Sequence, residues 1–146
     1  MTPDKIFEIC NSIALAGWLI LIFLPFWHNR DKFVVGIIVV LFCIVYTRLI
    51  FTSFDLSGFK SFNTLDGVMG LFTNRTVVTA GWIHYLAFDL MTGVFIIRNA
   101  GMHGINHWLT VPCLVFTFML GPIGLLLYLL LRLAFTRKYF AENFNH

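Results

Sequence analysis

Four long apolar stretches, separated by short polar interruptions, organise the chain. They run roughly from Ile6 to Trp27, Phe33 to Thr52, Val77 to Ile97 and Trp108 to Phe135. Each supplies the about 20 apolar residues a helix needs to cross a hydrocarbon core of about 30 Å, at about 1.5 Å per residue. Backbone groups inside a bilayer have no water to bond, so only helices or closed barrels span it, and barrel strands would show shorter alternating runs. The pattern predicts an all-α fold: a polytopic membrane protein with four transmembrane helices in a single domain over residues 1–146. The fourth stretch is long enough to tilt or bend.

The interruptions differ in character. His28-Asn29-Arg30-Asp31-Lys32 is a tight polar turn, which makes the first two helices antiparallel neighbours. The connection from Ser53 to Thr76 is far longer, and long connections tend to hold function or structure of their own. Within it Phe62, Leu65, Val68, Met69 and Phe72 recur at helical spacing, with Asn63 and Asp66 placed to cap the start. This predicts a short interfacial helix between the second and third spans, read either as a lid over an opening or as a connector dipping into lipid. The third connection, Asn99 to His107, is short again.

Composition supports the membrane reading. The chain is 59% hydrophobic and 12% charged, against about 25% charged in an ordinary soluble domain. Near the N-terminus Asp4 and Glu8 offset Lys5 and no small-x-small site follows, so the first stretch is expected to stay as a span rather than be cleaved. An even number of spans puts both termini on one side. That side would collect Lys5, Arg48, Lys60, Arg75, Arg132, Arg137 and Lys138, against Arg30, Lys32 and Arg98 opposite, so both termini are expected in the cytoplasm. The net charge of +3 is thereby read as topology. Basic residues form no phosphate-tracking stripe, and no nucleic-acid partner is expected. Cys10, Cys43 and Cys113 lie in or beside spans without a C-x-x-C pair, as small apolar fillers.

The chemistry concentrates in the third span, in the block Gly81-Trp82-Ile83-His84-Tyr85-Leu86-Ala87-Phe88-Asp89-Leu90. A carboxylate and an imidazole at membrane depth are costly, and hydrophobic anchoring calls for neither. At 100° per residue Trp82, Tyr85 and Asp89 fall near one face, extended by Gly93, while His84 lies about 140° round from Asp89. Asp89 comes close to the midplane, where a carboxylate needs a cation, several donors or water, or else stays neutral. Arg48 is the inward-facing cation by helix position, though nearer the level of His84; Tyr85 and Tyr46 are the nearby donors. Asp89 and His84 are the catalytic candidates, against plain readings of an interhelical hydrogen bond and a satisfied packing histidine. Trp82 and Tyr85 are substrate-binding candidates or packing residues.

In the fourth span Pro112 stands in the first turns, where a missing N–H is tolerated. Pro122 in Gly121-Pro122-Ile123-Gly124 is mid-span, where it must free the Phe118 carbonyl and bend the helix. Gly121 and Gly124 admit a backbone or a flat ligand at close range. Gly121 and Pro122 are therefore candidates for lining a pocket opposite the third span, or simply for tight helix packing. His103 and His107 have the i, i+4 spacing of a helical metal pair but no third ligand, so no metal is expected. Haem would want axial ligands at matched depth, and only His84 lies inside a span.

The runs G-W-I-H-Y-L-A-F-D-L, W-L-T-V-P-C-L and L-G-P-I-G-L-L-L-Y, with N-T-L-D-G-V-M-G-L-F upstream, resemble the ABA-deficient-four-like family of small membrane proteins. The likeness covers roughly Phe62 to Arg132. Plant members are needed to form neoxanthin from violaxanthin, a rearrangement of a carotenoid epoxide to an allene. The resemblance implies a protein that acts on or binds a lipophilic polyene, carotenoid or isoprenoid. An acidic start entering a span at once is unlike a plastid transit peptide, and implies a bacterial relative in the inner membrane. Epoxide opening with proton loss needs an acid and a base and no cofactor, which would make the protein a cofactor-independent isomerase. Asp89 and His84 would share those roles. Two other classes stay open: a non-catalytic membrane helper that binds lipid, an enzyme partner or a second copy of itself, and a small proton-coupled carrier.

Overall fold

The computed structural model describes residues 1–53, 56–140 and 142–144. Three helical segments are long and apolar enough to cross a membrane: Pro3–Phe23, Arg30–Ser53 and Arg75–Met102. Helix α1 (Pro3–Phe23) starts with Pro3, whose missing N–H costs nothing in a first turn, and stops just before Leu24, which precedes Pro25. Its buried stripe of Cys10, Ala14, Gly17, Trp18 and Leu21 follows helical periodicity. The second span comprises α2 (Arg30–Phe33), a π-helical stretch (Val34–Val39) and α3 (Val40–Ser53). The wide π turns shift the side-chain register in mid-span.

The long connection holds a 3-10 segment (Leu56–Asn63) and α4 (Leu65–Leu71). The cap is Thr64, whose hydroxyl accepts from Gly67 N at 3.1 Å, rather than Asn63. Leu65 and Met69 of α4 stay exposed, and the Phe72 ring just beyond it lies over the open side of Gly81.

Helix α5 (Arg75–Met102) is the axis of the bundle. Just over half of its spanning window, 56%, is buried, twice the 28% of the other two spans, because α1, the second span and the C-terminal helices all pack around it. Asn74 caps it by accepting from Thr76 N. Arg75 pairs with Asp4 at 3.1 Å, which sets the start of α1 beside the start of α5. At the opposite end Asp31 receives both Arg30 and Arg98, each at 3.1 Å, and the His107 ring meets the Ile22 carbonyl at 3.0 Å.

The expected fourth span is two helices, α6 (His107–Leu120) and α7 (Pro122–Thr136). At 14 and 15 residues they are about 21 and 22 Å long, short of a hydrocarbon core of about 30 Å. They fold back on each other rather than continue through a bend. A Cβ on Gly124 would run into the backbone and hydroxyl of Thr117 and the Cys113 carbonyl, so α7 lies directly on α6. The turn meets α5 at Asp89, and α7 then climbs back until Tyr128 and Arg132 reach Asn99. This corrects the expected single kinked helix: Gly121 (φ 44°, ψ −95°) turns the chain, and Pro122 starts a new helix instead of bending an old one. As a consequence Asp4 and Asn143 lie at opposite ends of the bundle, not on one side as an even span count required.

Candidate functional site

The hairpin delivers its tip to the middle of α5. Asp89 is buried, at 8% exposure, and a Cβ on Gly121 would stand 2.9 Å from its Oδ1. Asp89 Oδ2 finds no hydrogen-bond partner among the described residues. A buried carboxyl oxygen without a donor is costly, so its retention facing a helix break is the most informative feature of the interior. One turn below, the Tyr85 phenol is close enough to interact with the Asp89 carboxyl.

Tyr85 continues into a groove of about 450 Å³ between α1, α5 and α6, lined by Asn11, Leu15, Trp82, Tyr85, Phe118 and Met119. Its volume lies in the range of about 300–1,000 Å³ typical of small-molecule sites. Trp82 Nε1 donates to Asn11 Oδ1 at 2.7 Å. The Trp82 ring stands 5.5 Å from both Phe7 and Tyr85. Trp18 meets Phe118 of α6 at 5.6 Å, deeper in the bundle. The result is an aromatic slot with an amide at one end and a phenol leading to a carboxyl group at the other.

Of the sequence candidates, the fold brings Asp89, Tyr85, Trp82 and Gly121 to one side of α5. Pro122 is the first residue of α7 behind the tip. His84 is not among them. It is exposed on the face toward the second span, its ring 5.5 Å from Tyr46 and 4.5 Å from Phe88, as the 140° offset from Asp89 implies. Arg48, expected to face inward, is exposed on the outside of α3 near Cys43 and Ile44. His103 and His107 meet different carbonyls, those of Glu142 and Ile22, and no metal-holding group of three His, Cys, Asp or Glu side chains occurs among the described residues.

Two features escaped the sequence reading. Asn11 is an amide inside an apolar span, a signal visible in the sequence by the same logic that singled out Asp89. The other is the cluster of Asn99, Tyr128 and Arg132, which becomes visible only once α7 turns back along α5. No curated protein and no solved structure matches the chain. The ABA DEFICIENT 4-like family model matches residues 5–128, from the first turns of α1 to the middle of α7, and the chain belongs to that family.

Proposed function

We propose that this membrane protein binds an oxygenated polyene or isoprenoid in the groove between α1, α5 and the hairpin tip, and that Asp89, with Tyr85, handles the oxygen function of that molecule. The observation that carries this reading is the unpartnered, buried Asp89 oxygen beside an aromatic slot. Family membership supports a neoxanthin-related role, which makes an epoxide end group the first candidate substrate. In its carboxylic acid form Asp89 donates a proton to the epoxide oxygen as the C–O bond breaks. The resulting carboxylate takes the proton lost from the neighbouring carbon as the allene forms. No atom is gained or lost and no oxidant is needed, so one carboxyl group suffices for the isomerisation, with Tyr85 as hydrogen-bond support.

The separation of His84 from Asp89 favours one alternative. Without an assembled acid–base pair, the same groove serves a non-catalytic protein that holds the molecule for a partner enzyme. Carotenoid analysis in a host that accumulates violaxanthin separates the two. Turnover predicts a new allenic pigment with the wild type and none with Asp89→Asn. A pigment profile unchanged by the wild type, with polyene co-purifying in mild detergent, leaves binding alone.

A further inference from the structure

Beyond the segment matched by the family model, the end of α7 holds a cation without a counter-charge among the described residues. Arg132 is buried to 6% exposure, and no carboxylate pairs with it among the described residues. Its Nη1 donates to Asn99 Oδ1 at 3.1 Å and to Asn143 Oδ1 at 2.6 Å, while Nε finds no partner among the described residues. Both acceptors are neutral amides. Asn99 is already committed: Oδ1 also accepts from the Tyr128 hydroxyl at 2.6 Å, and Nδ2 donates to the carbonyls of Glu142 and Asn143. Buried charges are ordinarily paired, and among the described residues this guanidinium is held by dipoles alone.

Depth and surroundings indicate which anion fits. Arg132 stands ten positions beyond Pro122 at the tip, about 15 Å along α7. Asp89 and the tip lie near the middle of α5, so Arg132 reaches the edge of a hydrocarbon core with a half-thickness of about 15 Å, the level at which lipid phosphates begin. Beside it is a cavity of about 430 Å³ lined by leucines of α7 from Leu126 to Leu133 and by Phe140, with Arg132, Tyr139 and Asn143 as polar members. Arg137 and Lys138 follow at the end of the helix. An apolar slot that rises from the membrane interior to a forked cation suits an amphiphile with an anionic phosphate, because a guanidinium matches two phosphate oxygens at once.

We propose that the Arg132 socket binds the phosphate of an anionic membrane phospholipid, its chain lying along Leu126–Leu133, and that the Asn143 amide occupies the phosphate position until the lipid takes it. The full chain, delipidated in neutral detergent, is titrated with phosphatidylglycerol, phosphatidylcholine or inorganic phosphate, and binding is read by native mass spectrometry. The wild type is expected to prefer phosphatidylglycerol over phosphatidylcholine at least tenfold. Arg132→Gln abolishes that preference, Arg132→Lys keeps part of it, and Asn143→Ala strengthens phosphatidylglycerol binding severalfold by removing the competing amide. Competition by inorganic phosphate at the lipid's own concentration assigns the socket to free phosphate and overturns the phospholipid as its occupant. Equal binding of the two lipids by the wild type, or a preference that survives in Arg132→Gln, overturns the proposal. If Arg132→Gln does not fold, Asn143→Ala decides: unchanged or weaker phosphatidylglycerol binding overturns it.

Discussion

Asp89 and Gly121 constrain each other. A Cβ at Gly121 would sit 2.9 Å from the Asp89 carboxyl oxygen, and Gly121 holds φ 44° with ψ −95°, a backbone conformation that side chains disfavour. Space and conformation thus demand glycine for independent reasons at one position. Pro122 adds that no N–H is offered where α6 would have continued. The hairpin turns here because continuing the helix is unfavourable and turning costs little.

Gly121→Ala is therefore expected to lower stability by about 1–3 kcal/mol from backbone strain, and further from the displaced carboxyl group. Combining it with Asp89→Ala should restore part of the loss, with a coupling of about 0.5 kcal/mol or more, as for residues in direct contact. Unfolding in detergent micelles, followed for both single variants and the double, measures this. Strictly additive effects would mean that the two groups do not touch.

The fold also redistributes charge. With the hairpin turned back, Arg30, Lys32, Arg98, Arg132, Arg137 and Lys138 gather at the end of the bundle where α5 finishes, against Lys5, Arg48, Lys60 and Arg75 at its start; six and four account for all ten Lys and Arg of the chain. By the positive-inside rule the end of α5 is expected in the cytoplasm. Reporter fusions before Asp4 and after Asn143 should report opposite sides of the membrane, with the C-terminal fusion cytoplasmic. Two fusions on the same side would restore four full spans and refute the re-entrant hairpin.

Hydropathy alone made the all-helical membrane fold and the first three spans legible, because bilayer physics translates apolar length directly into a helix. The fourth stretch misled for a physical reason. Apolar residues from Trp108 to Phe135 look alike whether they cross a bilayer once or enter and return, and only the Gly121 backbone distinguishes the cases. Pro122 was visible, but a proline kinks a helix as readily as it starts one. Helical angles were enough to part His84 from Asp89 and to put Trp82 and Tyr85 on the carboxyl side. Arg48 was misassigned because the π-helical stretch at Val34–Val39 shifts the register before it. Arg132 counts in the sequence only as a topology charge, since its burial depends on Asn99 and Asn143, which are 33 and 11 residues away.

The catalytic reading of the third span separates into two residues with opposite expectations. His84→Ala removes an exposed ring that lies against Tyr46 and Phe88, and should leave pigment conversion or polyene retention within about twofold of wild type, well below the about tenfold that 1.4 kcal/mol represents. Asp89→Asn keeps the shape and removes the transferable proton. It should lower conversion by about a hundredfold or more, the scale of general acid–base catalysis. A His84 effect as large as that of Asp89 would return the histidine to the reaction.

The Asn99 cluster offers the sharpest stability test. Tyr128→Phe deletes one hydroxyl from a 2.6 Å bond to Asn99 Oδ1 and leaves that oxygen still bonded to Arg132. Its cost should match the average of about 0.6 kcal/mol for interhelical hydrogen bonds in membranes, and stay below about 1.7 kcal/mol. Asn99→Leu strands the Tyr128 hydroxyl and the Asn143 carbonyl and removes one of the two Arg132 hydrogen bonds, while the Glu142 carbonyl keeps the His103 ring and Arg132 keeps Asn143 Oδ1. Leaving a buried hydroxyl unpaired and removing a hydrogen bond from a buried charge typically costs about 1–3 kcal/mol each, so this variant should melt far earlier in detergent than Tyr128→Phe. Comparable melting of the two would mean that Asn99 contributes little more than its single bond to Tyr128, and that α7 is held against α5 by apolar packing alone.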